Sequence, residues 1–68
     1  MGIMNEEQIK KEGKRILRVE LGVMSREYYA YNGKLYMLTE GKIKEASLSD
    51  LRDELQLAED YDIEVEFG

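Results

Sequence analysis

This chain of 68 residues contains no cysteine, no histidine and no proline. Without cysteine it has no disulfide staple of the kind that secures many small secreted domains. Without either Cys or His it has no Cys/His zinc site, and a structural metal is not expected. The same two absences remove the usual near-neutral base and the best nucleophile of enzyme active sites. No run approaches the 18 or more apolar residues of a membrane span, so none is expected. The opening "MGIMNEEQIKKEGKR" carries acids where a secretory signal has a basic lead, and no apolar run follows. Met1-Gly2 superficially suits myristoylation, but Glu6 stands where Ser or Thr is required. The expectation is a soluble, cytoplasmic protein with no cofactor.

What the chain does have is a modest apolar complement. Leu, Ile, Val and Phe together number 17, and four Met and five Tyr raise the large apolar and amphipathic set to 26. That exceeds the disordered range, so residues 1–68 are read as one small folded domain. So short a chain buries only about 60 % of its unfolded surface, which leaves efficient packing or self-association to stabilise it. The formal charge of −5 is unevenly spread. Residues 1–44 hold nine basic and six acidic groups, whereas residues 45–68 hold one basic and nine acidic groups. Such segregation bears on partners more than on fold.

Local signals predict the elements. Asn5 suits an N-cap with Gln8 completing a capping box, so a short helix is expected over 5–12, ending near Gly13. Leu17, Val19, Leu21 and Val23 alternate with Arg18, Glu20 and Gly22, which predicts a strand over 15–24 with one covered face. Ser25-Arg26 is read as the following turn. Asn32-Gly33 is the strongest two-residue hairpin signal, because a type I′ turn needs positive φ at both central positions. Centring strands 27–31 and 34–39 on it pairs Tyr31 with Lys34, Tyr29 with Tyr36 and Tyr28 with Met37. One hairpin face then carries Tyr29, Tyr31, Tyr36 and Leu38; the other carries Tyr28, Ala30, Leu35 and Met37. Glu40-Gly41 reads as a second tight turn into a possible edge strand over 42–46, whose lysines discourage stray pairing.

Ser47 or Ser49 can cap a main helix over 49–59, with Leu48, Leu51, Leu55 and Ala58 as its apolar stripe. Tyr61, Ile63, Val65 and Phe67 alternate with acids, predicting a last strand over 61–67. The expected class is α+β: an antiparallel or mixed sheet of about four strands packed on one main helix. A helix of about 15 Å covers only part of such a sheet. The tyrosine face must therefore meet the N-terminal helix or another chain.

Enzyme chemistry finds little support. Pairs such as Asp53/Glu54 and Glu64/Glu66 lack the shelter that separates carboxylate pKa values, and the acids from Glu59 to Glu66 lack the spacing and glycine of a calcium loop. The best-supported reading is a small acidic, non-enzymatic protein-interaction module, regulatory or adaptor in role and homodimeric. Its basic and acidic halves are self-complementary, and Tyr29, Tyr31, Tyr36 and Leu38 offer an interface. A second reading is nucleic-acid association through Lys10, Lys11, Lys14, Arg15 and Arg18, which the interleaved acids and net negative charge oppose. A third is an acidic inhibitor whose Asp50, Asp53, Glu54, Asp62, Glu64 and Glu66 occupy the basic surface of a nucleic-acid-binding partner.

Overall fold

A computed structural model describes residues 5–68, so Met1-Gly2, discounted above as a myristoylation signal, lies outside them. The element order is α1 (Glu6–Glu12), β1 (Lys14–Leu21), β2 (Met24–Tyr31), β3 (Lys34–Thr39), β4 (Lys42–Ala46), α2 (Leu48–Asp60) and β5 (Val65–Phe67). The five strands form one antiparallel sheet in the order β4-β3-β2-β1-β5. Among the described residues the architecture is α+β as expected, and the fifth strand is the possible edge strand anticipated over 42–46.

The central hairpin has the register that Asn32-Gly33 requires: Tyr31 faces Lys34, Tyr29 faces Tyr36 and Tyr28 faces Met37. Asn32 and Gly33 take φ of 53° and 79°, the pair of positive angles that a type I′ turn demands. Glu40 and Gly41, at 47° and 75°, repeat the arrangement between β3 and β4. Lysines 42 and 44 stand exposed on the outer strand, as suits an edge.

The first two strands depart from expectation. β1 stops at Leu21, and Gly22-Val23 forms a two-residue turn that leaves Leu21 opposite Met24. Gly22, at φ 78°, supplies the positive angle needed at the first turn position. Val23 is therefore wholly exposed at the hairpin tip, not part of the covered face, and Ser25 and Arg26 belong to β2 and make no turn. A two-residue loop needs only one permissive glycine, so period-two alternation running through it was misleading. A bulge at Ile16 also shifts the register between Arg15 and Leu17.

The last strand is shorter than 61–67. α2 runs on to Asp60 and ends in a Schellman arrangement: Ile63 N–H donates to the Ala58 carbonyl at 2.8 Å and Asp62 N–H to the Glu59 carbonyl at 3.4 Å. Asp62 takes the left-handed position at φ 54°. Tyr61 and Phe67, expected on a buried face, are exposed. At the other end, Ser47 and Asp50 form a reciprocal capping box. That cap starts the helix at Leu48, which faces solvent instead of joining the apolar stripe. In α1, Asn5 accepts from the Gln8 backbone at 2.7 Å, but the Gln8 side chain donates to the Tyr31 hydroxyl, so only half of the expected capping box forms.

Two cores result, one on each side of the sheet. Under α1, Ile9 packs with Tyr29, Tyr36 and Leu38, flanked by Tyr31 and Ile43. Under α2, Leu17, Val19 and Tyr28 are buried against Leu51, Leu55, Met37, Ile63 and Val65. The seven-residue helix thus covers the tyrosine face. Gly13 makes this possible: its N–H donates to the Ile9 carbonyl, and a Cβ built on it would stand 2.6 Å from that oxygen and 3.0 Å from the Ala30 carbonyl. Its φ of −87° is ordinary, so close approach is what demands glycine here.

Candidate binding cleft

α2 crosses its face of the sheet towards β5, which leaves part of β2, β3 and β4 uncovered. The result is an open cleft of about 280 Å³. Tyr28, Met37 and Ala46 form its apolar floor, with Arg26 and Lys44 beside them. Asp50, Asp53, Glu54 and Leu57 of α2 form the wall. Helical periodicity explains the wall: residues three and four apart share a face, so Asp50, Glu54 and Leu57 line up.

The centre of this cleft is polar and buried. Glu54 is 6 % exposed. Its Oε1 accepts from the Tyr28 hydroxyl at 2.9 Å and lies 3.3 Å from the Arg26 Nε. The Arg26 N–H is not aimed at that oxygen, so the pair is a charge contact without a hydrogen bond. Oε2 of Glu54 is buried with no partner among the described residues. Burial, together with the hydrogen bond to Glu54, pushes the Tyr28 phenol well above its ordinary value. A buried carboxylate with one empty oxygen is costly, and native folds usually give it a partner.

Glu54 corrects one sequence expectation: it belongs to the interior, not to the acidic surface. Of the other residues assigned there, Asp50, Asp53, Asp62, Glu64 and Glu66 are exposed. Asp50 caps α2, and Glu66 pairs with Arg15 at 3.0 Å. Three of the four interface candidates, Tyr29, Tyr36 and Leu38, are buried under α1. Tyr31 is half-buried, donating to Glu12 and tilted at 53° against the Tyr36 ring.

The basic segment is largely paired within the chain. Lys10 contacts Glu6 at 2.9 Å and Glu27 at 3.6 Å, and its pKa is raised chiefly by the hydrogen bond to Glu6. Arg15 reaches Glu27, Glu66 and the Gly68 carbonyl, tying β2 and the C-terminal strand to β1. Arg18 contacts Glu20 at 2.6 Å. Lys11 and Lys14 are exposed and make no ion pair among the described residues.

Sequence reasoning missed the Arg26–Glu54–Tyr28 cluster. A signal was present: Glu54 sits three residues after Leu51 and four before Ala58, on the stripe itself, and Arg26 is two residues from Tyr28 on the same strand face. An acid facing inward on a helix calls for a base facing inward on the sheet. Among the described residues no group of three carboxylates converges to hold a metal ion, and no helix is long and apolar enough to cross a membrane. No protein-family model, no curated protein and no solved structure matches this chain.

Proposed function

We propose that this chain is a small, non-enzymatic protein-interaction module that engages a basic partner through its α2 side. The observation that carries the reading is the excess of acids along α2. Lys10, Arg15 and Arg18 spend their charge on Glu6, Glu27, Glu66 and Glu20, whereas Asp53, Glu59 and Asp60 of α2 meet no cation among the described residues. Lys11, Lys14, Lys34, Lys42, Lys44 and Arg52 also meet no acid among the described residues. But α2 carries five acids against the single cation Arg52, so its side holds an excess of negative charge that steers a cationic surface into contact. An adaptor or regulatory role follows from such a surface more readily than catalysis, given a chain without histidine or cysteine.

The two alternatives are weaker on the same grounds. Nucleic-acid association needs free cations, and three of the five expected basic residues are already paired. A homodimer was expected from complementary halves and an uncovered tyrosine face, but Arg15–Glu66 and Arg26–Glu54 join the halves within one chain and α1 covers the face.

The test compares binding of poly-lysine and of a short DNA duplex at low and near-physiological salt, alongside sedimentation of the free chain. Poly-lysine binding that weakens steeply with salt is expected, together with loss of at least tenfold on reversing Asp53 and Glu59 to Lys. Changing Glu7 on α1 is expected to leave binding unaltered. Retention of DNA in place of poly-lysine would overturn the reading. A single species near 8.0 kDa is expected in sedimentation; a dimer would restore self-association.

A further inference from the structure

We infer that the cleft between α2 and β4 receives an arginine side chain from an extended segment of a basic partner protein, with Glu54 Oε2 and Asp53 as its carboxylate acceptors. This rests on the reading of the chain as a module for a basic partner, and it specifies where and how that partner is recognised.

Four observations converge on one place. Glu54 is more than nine-tenths buried, lines the cleft and keeps one oxygen, itself closed to solvent, without a partner among the described residues, so a guest meets it when the carboxylate turns outward. Four carboxylate residues border the cleft against two cationic ones, and one of the cations, Arg26, already faces the other oxygen of Glu54. The cleft therefore favours a further positive charge despite Arg26. Its floor and wall carry Met37, Ala46 and Leu57, which suit the aliphatic stem of a long side chain with a charged head. Finally, β4 is an outer strand with no sheet partner on its far side among the described residues, and it borders the same cleft. An extended segment laid along that edge gains backbone hydrogen bonds and delivers alternate side chains to the α2 face.

The size and chemistry of the cleft select the guest. At about 280 Å³ it lies at the lower limit of small-ligand pockets (roughly 300 Å³), which suits one side chain better than a cofactor. Arginine fits better than lysine because its guanidinium spreads five N–H donors over three nitrogens, enough to reach two separate acceptors, Glu54 Oε2 and Asp53, at once. Asp50 contributes field more than contact, since its Oδ2 already accepts from the Ser47 backbone.

The test is a chemical-shift titration of the labelled chain with an acetylated, amidated pentapeptide. The peptide has a central arginine flanked on each side by threonine and valine. A matched peptide carries citrulline, which keeps the shape of arginine without its charge. Saturable shifts are expected at Ala46, Asp50, Asp53 and Leu57, with a dissociation constant on the order of 0.1–1 mM. The citrulline peptide is expected to bind at least tenfold more weakly, and Asp53→Asn to weaken the arginine peptide about fivefold. Asp53 is exposed, so this variant keeps the test valid even if Glu54→Gln fails to fold. Equal binding of both peptides would overturn the assignment of arginine. Shifts confined to Glu59 and Asp60 would overturn the cleft while leaving the basic-partner reading intact. No saturable shift at low salt, together with no poly-lysine binding, would overturn both.

Discussion

Replacing Gly13 by alanine tests how the short helix seats on the sheet. By chain entropy the change should help: alanine restricts the unfolded chain and gains about 0.4–1 kcal/mol where the backbone suits it. The backbone at Gly13 does suit it, with φ −87° and ψ 179°. Sterics point the other way. The new Cβ would lie 2.6 Å from the Ile9 carbonyl oxygen, 3.0 Å from the Ala30 carbonyl and 3.2 Å from the Tyr31 Cβ. Two of these neighbours are backbone on different elements, so relief requires α1 to lift from β2. Overpacking of this kind costs about 1–3 kcal/mol, which outweighs the entropic gain. The expected net loss is about 1–2 kcal/mol, read in urea as a midpoint lower by about 1–2 M at an m-value near 1 kcal/mol/M. For a domain whose total stability is on the order of 3–10 kcal/mol, that is a large fraction. A neutral or stabilising Gly13→Ala would refute the close approach of α1, and with it the covering of the tyrosine face.

Four further outcomes are expected. Ile9→Ala, at a fully buried position, should lower stability by about 2–5 kcal/mol in denaturant melts and perturb the near-ultraviolet signal of Tyr29 and Tyr36. Gly33→Val should destabilise more than Gly33→Asn, since space is open there but φ is +79°; equal losses in thermal melts would contradict the turn. Tyr28→Phe should cost about 1–3 kcal/mol near neutrality by leaving Glu54 less satisfied. It should also flatten the alkaline limb: the folded state raises the Tyr28 pKa above the reference value of 10.0, so the unfolded chain loses that proton first. Stability from this group is full below about pH 10 and falls as pH rises beyond it, and urea midpoints between about pH 9 and 11 should show the difference from Tyr28→Phe. Arg15→Gln should lower the melting temperature at low salt, and the gap should close as salt screens the contacts to Glu27 and Glu66.

Short-range chemistry was legible in the sequence. Asn32-Gly33 set its hairpin register because only a turn with two positive φ angles accepts that pair cheaply, and nothing distant competes. Glu40-Gly41 was legible for the same reason, although Glu40 is a less usual occupant. Ser47, Asp50 and the leucine spacing marked α2 to within one residue at each end. Where the reading failed, alternation alone had been trusted: Val23 and Tyr61 continue a period of two through a turn and a helix cap. Periodicity cannot see the hydrogen bonds that end an element.

Of the candidate site, the acids were visible and their arrangement was not. Asp53 and Glu54 are neighbours in sequence, yet one is exposed and the other buried, because α2 turns Glu54 towards the Tyr28 hydroxyl and Arg26. That outcome depends on where a helix lands on a sheet 20 or more residues away. The sequence by itself determined local turns, caps and the composition of each hairpin face. Tertiary structure alone decided that α1 covers the tyrosines, that Lys10 and Arg15 are paired by Glu27 and Glu66, and that Glu54 keeps an oxygen without a partner among the described residues. Each is a non-local contact, chosen by which packing buries the most surface and satisfies the most charge at once.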